Sequence, residues 1–88
     1  MKTITVGTTV TAIAPAGNRD FLWIFNNDSA TVFLSFDGDS TTLTTSNGFP
    51  LLTQTGILLD NSRDRNTFNK AVNAISVAGS ANVRVQGV

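Results

Sequence analysis

The chain has 88 residues with no cysteine and no histidine. That leaves room for one domain, residues 1–88, and excludes disulfides, thiolate metal sites and the imidazole that most acid–base and transition-metal centres use. Charged residues make up 14% and cancel to a net charge of zero, so no long-range field draws in nucleic acid or an anionic membrane. All six acidic residues are Asp, a turn former rather than a helix-face residue.

The pattern along the chain has period two. Lys2 is followed by an alternating stretch, 3–6, which resumes at 9–11 after Gly7; β-branched residues fill it, as strands prefer. Residues 14–18 break the pattern with Pro15 and Gly17. Residues 19–26 and 31–37 read as two strong strands joined by a turn at 26–29, hence as a hairpin. A turn at 37–40 precedes a short Thr-rich strand at 41–45. Asn47-Gly48 then marks another hairpin. The returning strand, 49–53, contains Pro50, which lacks an amide donor and so places it at a sheet edge.

After a turn at 54–56 comes a strand at 57–59, then a polar loop at 60–70. A last hairpin is expected from 74–77 and 82–86 around a turn at 78–80. Phe68, Val72 and Ile75 have helical spacing, but Asn69 and Asn73 limit that to one helical turn near 66–70. The expectation is an all-β, single small antiparallel sandwich or barrel of seven to eight short strands with no internal repeat.

Alternation puts Phe21, Trp23 and Phe25 on one face of their strand and Leu22 and Ile24 on the other. Val32, Leu34 and Phe36 form one set with Phe33 opposite. Both faces are thus partly apolar. The simpler reading puts all of these rings in the core, since a domain this small has little apolar material to spend. The sharper one leaves Trp23 or Phe33 exposed until a partner covers it.

Chemistry is harder to find. Without His, Cys or Tyr, neither a Ser/His/Asp nor a Cys/His constellation can form. The Asp residues read as turn formers. Asp37-Gly38-Asp39-Ser40 resembles the opening of a calcium loop but lacks the later Glu. No phosphate-binding glycine motif occurs. Arg63, Arg65 and Lys70 form a small basic loop near Phe68, diluted by Asp60 and Asp64. A subunit contact through Arg63 or Arg65 suits it better than nucleic acid. Asn27-Asp28-Ser29 matches a glycosylation sequon but reads as a turn. No catalytic residue, cofactor or metal is expected, and the candidate interface residues are Trp23, Phe33, Arg63, Arg65 and Phe68. The longest strongly apolar run, 21–25, is far too short for a membrane span. Together with the lack of a signal-peptide stretch near Lys2, this leads to an expected complete, soluble chain made in the cytoplasm.

From residue 18 onward the chain resembles small β-sandwich proteins of bacteriophage particles, of the capsid decoration or cement type. The resemblance is carried by Asn18-Arg19, by an apolar strand ending in Asn26, and by Val32-Phe33-Leu34-Ser35-Phe36-Asp37-Gly38. It continues through Gly48-Phe49-Pro50-Leu51, Asn73-Ala74-Ile75, Gly79-Ser80-Ala81 and Val83-Arg84-Val85. It implies a jelly-roll-like sandwich, a homo-oligomer (a trimer favoured), and binding to a major capsid protein on the outer surface of the head. No enzymatic activity and no small-molecule ligand are implied. A head-fibre, tail or adaptor component is an alternative, and a small carbohydrate-binding module is one from another class. Sugar binding needs an exposed aromatic platform, and Trp23 lies in the strand that reads as most core-like. The N-terminal strand or arm, 1–17, is expected to make oligomer or shell contacts, its Thr-rich first strand adding to a neighbour's sheet edge, since unpaired strand edges recruit partners.

Overall fold

A computed structural model describes residues 1–17, 19–38, 40–60 and 69–87. It contains eight strands: β1 Lys2–Val6, β2 Thr11–Ala14, β3 Phe21–Asn26, β4 Val32–Ser35, β5 Phe49–Leu51, β6 Gly56–Asp60, β7 Val72–Ser76 and β8 Ala81–Gln86. They form two antiparallel sheets, β1-β8-β3-β6 and β2-β7-β4-β5. The pairs β1·β8, β2·β7, β3·β6 and β4·β5 are those of one long hairpin bent at the β4–β5 connection. Wrapping that hairpin round itself adds β3·β8 and β4·β7 and splits it into two layers. This is the jelly-roll arrangement, and no helix occurs among the described residues.

The interior is aliphatic. Leu22, Ile24, Val32, Leu34, Val83 and Val85 have at most 2% of their surface exposed, and together with smaller residues such as Ala14 and Ala74 they form one cluster between the sheets. Each buried Val, Leu or Ile side chain contributes roughly 1.5–3 kcal/mol. The short Cα dimension of the molecule is 17 Å, room for two twisted sheets packed about 10 Å apart and not for a third layer. None of the aromatic side chains described is fully buried; all six lie outside the core, half-buried or exposed.

Two connections read as hairpins are corners between layers. β3 and β4 lie in different sheets, as do β7 and β8. Their turn residues reverse the chain, but the strands they join pair elsewhere. Asn26 holds the first corner. Its fully buried side chain donates to Ala30 O and Leu51 O, both at 2.8 Å, and accepts the Asp28 N–H at 3.1 Å. Its backbone also bonds to residues 54 and 55, so two loops share one anchor. Arg19 does similar work on the opposite connection, donating to Pro15 O and Lys70 O at 2.8 Å.

The expected strand at 41–45 is absent. The Asn47 side chain accepts the Thr44 N–H at 2.8 Å and donates to Thr42 O at 2.7 Å, which holds the segment in bends and turns. Asn47-Gly48 thus ends a long connection rather than forming a two-residue hairpin. Pro50 does lie on an edge strand, β5. Val72 and Ile75 belong to β7, so their helical spacing is incidental.

Candidate functional site

The outer face of the first sheet is built from β3 and its two neighbours. In β3, Leu22 and Ile24 point inward, while Phe21 and Trp23 are 41% and 43% exposed and Phe25 is half-buried. The face set read from alternation is therefore right, but the reading that places Trp23 and Phe21 in the core is overturned. The strand's other face was already sufficient to line the interior.

Cross-strand register assembles the rest. Trp23 lies opposite Leu58 on β6 and opposite Gln86 on β8. Leu58 is 53% exposed, so Phe21, Trp23 and Leu58 form a contiguous apolar patch, with Phe25 at its end. Phe21 lies opposite Asp60, and Phe25 lies between Gly56 and Arg84. Thr3 on β1 follows next to Arg84. Apolar side chains thus occupy the middle and polar ones the rim, as protein interfaces do.

Two glycines shape the patch. A Cβ at Gly56 would lie 3.0 Å from Trp23 Nε1 and 3.2 Å from Phe25 Cδ1, so the missing side chain gives these rings a floor on β6. Gly87 has φ +105°, and a Cβ there would lie 2.2 Å from Phe21 O, which only glycine tolerates. It lets the chain leave β8 tight against the start of β3.

Leu58, Arg84, Gln86 and Asp60 are not among the interface candidates that the sequence offers. The alternation of 57–59 does separate Leu58 from its neighbours. Its position beside Trp23 depends on a pairing between segments distant in the chain, for which no local signal exists.

The second sheet differs. Phe33 points outward opposite Pro50 and Ile75, but it is only half-buried. A Cβ at Gly48 would lie 2.7 Å from Phe33 Cβ and 2.8 Å from Leu43 Cδ1, so the β4–β5 connection closes on this ring, with Leu43 itself buried. At the end of that sheet lies an open cleft of about 370 Å³ lined by Phe36, Leu43, Asn47 and Phe49, among others. The Phe36 and Phe49 rings meet edge-on at 5.7 Å across it.

Arg63, Arg65 and Phe68, with Asp64 and Asp39, lie outside the described residues. Asp37 accepts the Ser35 hydroxyl at 2.7 Å, and the described residues hold no group of three potential metal-ligating side chains. The sequon-like segment 27–29 is a corner: Asp28 accepts the Ser29 N–H at 2.8 Å and the Asn82 N–H at 3.0 Å. These bonds, the Asn82 one foremost, hold the Asp28 carboxyl below its usual pKa. The N-terminal segment supplies β1 and β2, the edge strands of the two sheets on one side of the sandwich.

No protein-family model, curated protein or solved structure matches the chain.

Proposed function

We propose that this chain is a non-enzymatic structural protein of a bacteriophage particle, a decoration or cement protein that binds the outer surface of the head and stabilises it. The observation that carries the binding part is the exposed patch of Phe21, Trp23 and Leu58 on a chain with only 14% charged residues. A large apolar patch with a polar rim is costly to leave in water and marks a docking surface. The phage setting comes from the resemblance in residues 18–88. A protein that binds the assembled shell and not its separated subunits stabilises the shell by mass action, and many weak identical contacts add through multivalency. The β1 edge offers a second contact, by strand addition to a neighbour. Head-fibre, tail and adaptor roles use the same surfaces and differ in location.

The test is to add purified protein to particles stripped of it and to locate it by electron microscopy. Parent protein is expected on the head surface, with Trp23→Ser binding at least about tenfold more weakly, or roughly 1.4 kcal/mol. Equal binding by the variant removes the patch from the reading, and density on the tail moves the protein to the adaptor role.

One feature favours a second reading as a carbohydrate-binding module. Trp23 is exposed, and its indole N–H has no hydrogen-bond partner among the described residues. A flat ring with a free donor beside Gln86 and Arg84 suits a sugar. Glycan-array binding together with quenching of Trp23 fluorescence would support that reading over docking to protein.

A further inference from the structure

We propose that the aromatic face of the first sheet is covered by a second copy of this chain, related by a two-fold axis at Trp23, with Arg84 of each copy against Asp60 of the other. This rests on reading the patch as an interface and names its occupant as a second copy, which leaves shell contact to other surfaces of the pair, the β1 edge among them.

The register carries the inference. Asp60 lies on β6 opposite Phe21, two residues before Trp23, and Arg84 lies on β8 opposite Phe25, two residues after it. The two charges sit at the ends of a diagonal centred on Trp23. With strands about 4.8 Å apart and a rise of about 3.4 Å per residue, each Cα lies roughly 8 Å from the centre, in opposite directions. A two-fold axis lying in the interface, through Trp23 and perpendicular to that diagonal, exchanges the ends. Each Arg84 then meets the other copy's Asp60, and Trp23 meets Trp23. The strands of the two copies cross at roughly 70°, nearer the orthogonal class of sheet packing than the aligned one.

The surface is therefore complementary to itself, which an isologous pair requires. An aromatic centre ringed by polar groups is where binding energy concentrates. Arg84 is exposed and has no ion-pair partner among the described residues. Asp60 already takes part in an interaction within its own chain, and a carboxylate has about four acceptor sites, enough for a second. The outward side chains of the second sheet's central strands, Phe33, Ser35, Asn73 and Ile75, include no charge to set a register. The pairing proposed is a dimer, in place of the trimer that the resemblance favours.

The test uses the full chain in sedimentation equilibrium over a wide concentration range, with Trp23 emission as a second readout. The expected result is a monomer–dimer equilibrium, with emission shifting to the blue as the dimer forms. Arg84→Asp and Asp60→Arg, each alone, should dissociate at least about tenfold more readily, or roughly 1.4 kcal/mol. An equimolar mixture of the two variants should recover association, because that mixed pair has an opposite charge at both contacts. Circular dichroism and melting of each variant separate misfolding from lost pairing, and recovery on mixing excludes misfolding directly. A monomer at all concentrations, a trimer, or single variants that associate like the parent would overturn the proposal. So would a mixture that fails to recover association. If the parent is monomeric yet Trp23→Ser loses particle binding, the patch remains an interface and its occupant is the shell. If Trp23→Ser changes neither sedimentation nor particle binding, the patch is not an interface.

Discussion

The two outward faces of the sandwich began from the same kind of sequence and ended differently. Both β3 and β4 carry apolar side chains on both sides. On the second sheet the chain covers its own ring: the β4–β5 connection brings buried Leu43 and Gly48 close to Phe33. On the first sheet Phe21, Trp23 and Leu58 stay exposed. An outward aromatic is therefore informative only after the loops are in place. One that the chain covers is part of folding, and one that it leaves uncovered is available for assembly.

Substitutions can break that contrast. Ile24→Ala, on the inner side of β3, should cost about 3 kcal/mol by leaving a cavity between the sheets, measured by urea denaturation. A cost under about 1 kcal/mol would mean that the interior is not where the contrast places it. Phe33→Ser should cost roughly 1.5 kcal/mol in the same experiment, because that ring is half-buried under its own chain. Trp23→Ser should change the stability of the isolated chain by less than about 1 kcal/mol while weakening association. If Trp23→Ser proves as destabilising as Phe33→Ser, the two faces are equivalent and the contrast fails.

The smallest effect concerns the corner that ties the layers together. Asp28 has a lowered pKa because the Asn82 and Ser29 N–H groups bond to its carboxylate. A folded pKa below the unfolded value gives stability that is present above the unfolded pKa and lost as pH falls through the folded one. Starting from the ordinary value of 3.8, the melting temperature should fall as the medium is acidified below that point. Asp28→Asn should show a shallower fall over the same range. Identical acid profiles would show that these bonds contribute nothing measurable.

Parts of this were legible locally. The alternation of 21–25 separated Phe21, Trp23 and Phe25 from Leu22 and Ile24, since side-chain direction in a strand depends only on the neighbouring residues. Pro50 marked an edge because the donor it lacks would be missed in a central strand. The turn signals at 26–29 and 78–80 do mark reversals, but the strands that they join lie in different sheets and form no hairpin. A turn fixes where the chain goes back, not which strand it meets. The Asn47-Gly48 signal failed for a related reason, as the Asn47 side chain was taken up by Thr42 and Thr44. Of the candidate interface residues, Trp23 is in the exposed patch and Phe33 is on the opposite face, while Arg63, Arg65 and Phe68 lie outside the described residues.

By itself, then, the sequence determined an all-β chain of short strands, the division of each strand into two faces, and a composition with few charges. These follow from near-neighbour sterics and side-chain chemistry. Only the tertiary structure decided which face turns outward, that Leu58, Gln86, Arg84 and Asp60 surround Trp23, and that the chain wraps as a jelly roll instead of a row of hairpins. Those outcomes depend on pairings between distant segments, where the burial of a whole face outweighs the preference of any single turn.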